Sequence, residues 1–283
     1  MCDEAPDPPS GGLPDGGPTG PAGGVAVCCA CPADGTMNTN GFSNYFSTSY
    51  PHSNVLTNKG TMSIVRTDTG GTVTIRKTFS LSYVLGATEA ADRATLVSAI
   101  SSAMSTWQSN AANFRIQVEQ PGCSPQKLTM MYTSAIVASG ADVAVTVDGT
   151  AAPAPPTPGL RSFVQGGTAM TFYTNGVGDI PWTMVHEIGH TFGLPDEYIY
   201  ELTSATPAPT ATFKGEALPD KVVTLSTSAL APPTGKFNFD ADSVMGRNGN
   251  STYSDYVFYW IAIEVEKVLT AAGVTAVVKV VTP

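Results

Sequence analysis

The sequence predicts an α+β domain, and three observations carry that prediction. Strand-like alternation runs from Thr72 to Leu85, helical spacing follows from Ala87 to Gln108, and a second long helical pattern runs from Tyr256 to Ala272. The order along the chain is strands, helix, strands, helix, loops, helix, with no internal repeat.

Taken in order, residues 1–35 read as a disordered leader. Gly, Pro and Asp dominate there, and no apolar periodicity offsets the entropy of ordering. Residues 36–60 read as an irregular connector, with His52 solvated in a Ser/Asn-rich loop. From about residue 61 to 283 the pattern is that of a folded domain. Val73, Ile75, Phe79, Leu81, Tyr83 and Leu85 share one face of the first long strand. Leu96, Ile100, Met104 and Trp107 fall on one face of the helix that follows. Phe114, Ile116 and Val118 alternate again, and Leu128–Thr133, Ala141–Val147 and Ala169–Thr174 are further strand candidates. The Pro-rich AAPAPPTPG between the last two cannot be regular structure. Trp182 to Phe192 reads as a helix stopped by Gly193 and Pro195. Residues 199–240, rich in Thr, Pro and Ala, read as irregular with short strands. The last helix has Val257, Trp260, Ile261, Val265, Val268 and Leu269 on its apolar side, Ser254 as N-cap and Gly273 as stop.

Composition excludes some partners. Hydrophobic residues make up 42% of 283 and mean hydropathy is +0.04, enough to bury a core in a soluble chain. Only 13% of residues are charged, a sparse Thr/Ser-rich pattern that fits an exported protein. The formal charge of −9 argues against nucleic acid or an anionic membrane as partner, since both need a basic footprint. No run approaches the roughly 18 apolar residues of a membrane span. The opening MCDEAPDPPSGG lacks the basic and apolar regions of a secretory signal, so export implies another route or a signal already removed. A monomer is expected. The cysteines are Cys2, Cys28, Cys29, Cys31 and Cys123, an odd number with three in one cluster. A bridge from the cluster to Cys123 is allowed, but no connectivity follows from sequence.

The chemistry concentrates in His186-Glu187-Ile188-Gly189-His190-Thr191-Phe192-Gly193-Leu194-Pro195-Asp196-Glu197-Tyr198. On a helix, residues i and i+4 share a face, so His186 and His190 can converge on one Zn²⁺. Glu187 projects near the metal without ligating it, placed to take a proton from water. A catalytic site needs a third protein ligand. Gly193 can take positive φ and turn the chain, Pro195 stiffens the return, and Asp196 arrives ten residues after His186. Glu197 beside it is the alternative ligand.

The run H-E-x-x-H-x-x-G-x-x-D resembles the metzincin metallopeptidases, and with Gly-Leu-Pro-Asp and the following Tyr it is most similar to the snapalysins. The resemblance is sharp over 182–198. It is fair at Asp242-Ser243-Val244-Met245-Gly246, which looks like the family's Met-turn, and only architectural over 61–175. Residues 1–60 have no counterpart. The resemblance implies a metzincin-like zincin: a twisted mixed sheet, an active-site helix and a C-terminal helix, with an upper part to about 193 and a lower part over 194–283. It implies a zinc-dependent endopeptidase with His186, His190 and Asp196 as metal ligands and Glu187 as general base. Met245 would lie beneath the metal, and a peptide substrate would bind in extended form along an edge strand. Many metzincins carry Tyr two residues after the Met-turn Met. Here that residue is Arg247, so oxyanion stabilisation passes to Tyr198, with Tyr253 as the outside candidate. Two other readings stand beside this one, a toxin domain with one narrow protein target and a non-catalytic zinc-binding module. The intact Glu187 speaks against the module. Cys28, Cys29 and Cys31 could form a bridge, bind a structural metal, or supply a latency thiolate. Asn250-Ser251-Thr252 fits a glycosylation sequon, and Asp240 with Asp242 could help hold Ca²⁺.

Overall fold

Val73, Ile75, Lys77 and Phe79 take every second position of one strand, and all four are fully buried. The residues between them are polar and reach the other face, so one side of the sheet carries the core and the other meets water. A computed structural model describes residues 36–40, 57–67, 70–151, 162–175, 180–194, 198–199, 210–213, 221–224, 228–230, 236–238, 243–245 and 251–283.

The sheet begins with β1 (Thr36–Asn40), β2 (Thr61–Thr67) and the long β3 (Gly70–Val84), each antiparallel to the next. The irregular connector expected over 36–60 is therefore corrected at its start. TMNTN has too little apolar content to be read as a strand, and pairing along β2 supplies what its own pattern lacks. Leu85, expected inside the strand, instead turns the chain at φ 49, with Ala87 N donating to Val84 O at 3.0 Å.

Helix α1 (Glu89–Ala111) starts where Thr88 Oγ1 accepts from Ala91 N at 3.2 Å and Asp92 Oδ2 accepts from Thr88 N at 2.8 Å. These reciprocal bonds satisfy donors that a helix start leaves bare. Its buried stripe is Leu96, Ile100, Met104 and Trp107. Strands β4 (Arg115–Glu119), β5 (Gln126–Ile136), β6 (Val143–Ala151), β7 (Phe163–Gln165) and β8 (Ala169–Asn175) complete one side of the fold before α2 (Ile180–Thr191). The short pieces β9 (Tyr198–Ile199), β10 (Thr210–Phe213), β11 (Lys221–Thr224), β12 (Ser228–Leu230) and β13 (Lys236–Asn238) form two small sheets, β10-β11 and β12-β13-β9. The last helix is shorter than expected. Asp255–Phe258 is a 3₁₀ turn in which Val257 N donates to Ser254 O at 3.2 Å, and α3 (Tyr259–Ala271) follows without a side-chain cap. The chain ends in β14 (Val277–Val281).

The large sheet is mixed, in the order β14-β4-β5-β3-β6-β8-β7, with β2 and β1 continuing beside β3. Strand β3 is parallel to β5 and β6, and β6 is parallel to β8; the other pairs are antiparallel. Helix α1 packs on β5 and on α2, while α3 packs on β14. The class is thus α+β with three α-helices among the described residues, none long and apolar enough to cross a membrane. At the centre of the core Trp107 meets Phe192 (5.2 Å), Tyr253 (5.0 Å) and Phe258 (6.2 Å) edge to face. The Pro-rich loop from residue 152 and the leader lie outside the described residues, as does His52.

Candidate metal centre

Helix α2 is buried from Met184 to its end, which is unusual for a segment that carries two imidazoles and a carboxylate. His186, Glu187 and His190 are at most 8% exposed. Buried polar groups persist only when they are partnered. The two rings stand edge to face with centroids 4.8 Å apart.

Both imidazoles are held at the same atom. His186 Nδ1 lies 3.0 Å from Val244 O, and His190 Nδ1 lies 2.8 Å from Leu194 O. A carbonyl oxygen can only accept, so each Nδ1 carries a proton, and in the neutral ring it is Nε2 that holds the free lone pair. That tautomer is the one needed for ligation through Nε2, and a main-chain carbonyl on the far nitrogen is a common way of fixing it. Trp182, one turn before His186, stacks on its ring at 4.9 Å and 27°.

Met245 is fully buried under the same helix. Its sulfur lies against Gly189, between the two histidines. A methyl there would overlap Met245 Sδ and stand 3.1 Å from Trp107 Cζ2. The turn that brings it is anchored by Val244 N to Thr252 O (3.0 Å) and Met245 N to Ser243 Oγ (3.2 Å). One three-residue turn therefore supplies both the floor under Gly189 and the acceptor for His186.

The helix ends in a Schellman motif. Gly193 takes φ 82, its N donates to His190 O at 3.0 Å, and Leu194 N donates to Gly189 O at 3.3 Å. The turn expected from Gly193 is thus present. The residues it leads to, Asp196 and Glu197, lie outside the described residues, as do Arg247, Asp240, Asp242, Asn250, Cys28, Cys29 and Cys31. Among the described residues no group of three metal-binding side chains converges. Tyr198 is described by its backbone alone, paired with Asn238 of β13. Tyr253 packs on Trp107 within the core. Its hydroxyl is buried without a hydrogen-bond partner, and burial holds its pKa well above the usual phenol value. Cys123 is disulfide-bonded, and its partner lies outside the described residues.

The sequence reading missed a buried polar bracket behind the helix end. Lys77 Nζ donates to Asn58 Oδ1 at 3.0 Å and to Lys59 O, and Asn58 Nδ2 donates to Phe192 O at 3.1 Å. The signal was a lysine in the buried register of a strand, between Ile75 and Phe79. Burial lowers the Lys77 pKa to about 7, against a smaller opposing pull from Asp142.

No protein-family model matches the sequence, and a search of the curated proteins finds no match.

Proposed function

We propose that this chain is a zinc-dependent endopeptidase of the metzincin type, with His186, His190 and Asp196 as metal ligands. The observation that carries the proposal is the pair of imidazoles four residues apart, each fixed at Nδ1 by a main-chain carbonyl, above a buried methionine whose sulfur lies against Gly189. A chance H-E-x-x-H would have no reason to be buried, anchored twice and floored in this way.

Bound Zn²⁺ would supply Lewis acidity, lowering the pKa of water and polarising the scissile carbonyl. The chain's own residues do the rest. Glu187, adjacent to the first ligand, accepts the proton of the attacking water and passes it to the departing amine nitrogen. Val244 O and Leu194 O keep the two rings in the metal-binding tautomer throughout. Tyr198 donates its hydroxyl to the developing oxyanion. Substrate in extended form would add to β7, the antiparallel strand at the end of the large sheet, which packs beside α2. The disulfide at Cys123 fits an exported protein, because such bonds persist in oxidising compartments.

Protein purified without chelator is expected to carry one zinc per chain and to cleave casein in a chelator-sensitive way. Glu187→Gln should keep the zinc and lose activity by about 10²- to 10⁴-fold. A metal-free protein with full activity, or Glu187→Gln activity within a few-fold of wild type, sinks the proposal. Loss of zinc in Glu197→Ala but not in Asp196→Ala would move the third ligand by one residue.

A further inference from the structure

Helix ends leave carbonyls to be satisfied, and the end of α2 is satisfied from two sides. Leu194 O accepts from His190 Nδ1, and Phe192 O accepts from Asn58 Nδ2. Asn58 lies 134 residues away in sequence and is 1% exposed. Its other side-chain atom, Oδ1, accepts from Lys77 Nζ, whose side chain is fully buried and whose ammonium stands 5.1 Å from the centroid of the Phe192 ring. The segment bearing Asn58 is itself pinned. Thr57 N donates to Gly166 O at 2.9 Å, Lys59 O accepts from Lys77, and Lys59 Nζ donates to Ala141 O at 3.3 Å. Gly167 is packed so closely on Thr57 that a side chain there would meet the Thr57 main chain.

We infer that Asn58, held by Lys77, is a positioning residue for the metal site. It fixes the turn at 192–194, and that turn bears on the metal site in two ways. It places the carbonyl that orients His190, and it is the last described point of the chain before Asp196, two residues further on. Core packing alone does not call for this arrangement. Position 77 lies between Ile75 and Phe79 in a buried register, where an aliphatic side chain would fill the space without desolvating an amine. The bracket links strand β3 to the end of α2 through directed hydrogen bonds, and directed bonds set an orientation that apolar contact does not. The inference rests on the zinc reading above and adds to it the group that sets metal affinity from behind.

The test measures zinc affinity of the full chain by competition with a chromophoric chelator, for wild type, Asn58→Asp, Asn58→Ala and Lys77→Met. Melting of each metal-free protein and the visible spectrum of each Co²⁺-loaded one are recorded alongside. Asn58→Asp is the informative variant, because it keeps an acceptor for Lys77, now as a charged partner, and replaces the donor to Phe192 O with a second acceptor oxygen. It should melt close to wild type without metal, yet bind zinc about ten- to a hundred-fold more weakly, with altered Co²⁺ bands. Asn58→Ala and Lys77→Met should weaken zinc in the same direction. Unchanged zinc affinity in Asn58→Asp overturns the inference and leaves the zinc reading standing, as does a loss confined to metal-free melting. A wild-type chain that binds no zinc removes both.

Discussion

At Gly189 two effects on one residue point in opposite directions. Alanine is the better helix former by about 1 kcal/mol. A methyl at this position, however, overlaps Met245 Sδ and stands 3.1 Å from Trp107 Cζ2, and both of those side chains are fully buried. Overpacking of this kind costs about 1–3 kcal/mol. Gly189→Ala is therefore expected to lower the melting temperature and, by displacing Met245, to disturb the Val244 carbonyl that orients His186. A variant more stable than wild type would show that Met245 does not press on the helix. Tyr198→Phe is the second test at this scale. It should lower kcat about ten- to a thousand-fold with KM little changed and zinc retained, the mark of a bond made chiefly in the transition state. Full activity in Tyr198→Phe together with a crippled Tyr253→Phe would reassign that role. The buried packing of Tyr253 against Trp107 makes this the less expected result.

Among the elements, β3 and α1 are legible in the sequence because their apolar residues repeat long enough to define a period. Strands β1, β7 and β14 are not. Three to five residues carry too few alternations, and what makes them strands is the neighbour they pair with. Helix α2 and the methionine beneath it are legible as a motif, whereas the Asn58–Lys77 bracket joins segments far apart in the chain and has no local pattern. Its one trace is Lys77 in the buried register of β3. That lysine makes a prediction about pH. Its folded pKa, about 7, lies below the ordinary value of 10.5, so between those values the unfolded chain binds the extra proton. Stability should therefore rise with pH across that window and be lost as pH falls through about 7. Tyr132 and Tyr253 act oppositely, since burial raises both above 10.0 and stability falls as the unfolded phenols ionise beyond it. Wild type should melt highest near pH 9 to 10 on these contributions, and Lys77→Met should lose the rise above pH 7 while keeping the alkaline fall. An unchanged rise in Lys77→Met would assign it to another group.

For the whole molecule, the covalent link at Cys123 ties the β4–β5 loop to a cysteine outside the described residues, and the other four all precede residue 36. Peptide mapping without reductant should recover the Cys123 peptide joined to one from the first 35 residues, and with reductant the two should separate. A Cys123 peptide found free in the oxidised protein would contradict the bridge. On the proposed zinc reading, metal should stabilise the same domain by mass action, since His186 and His190 lie side by side only in the folded helix, so chelation should lower the melting temperature.

The placement of the tryptophans has a practical consequence. The chain has three, all at or beside the same helix: Trp182 within it lies on His186, Trp107 Nε1 donates to Val185 O at 3.1 Å, and Trp260 stacks on Phe192, just past its end, at 5.8 Å. Intrinsic fluorescence of this protein is therefore a report from α2 and its immediate surroundings. A quenching ion such as Cu²⁺ or Co²⁺ entering between the histidines should dim Trp182 first, giving a titration that needs no label and no substrate. A thermal transition followed at 340 nm would record the release of α2, and its separation from the far-ultraviolet circular dichroism transition would measure how far that helix can loosen before the sheet does.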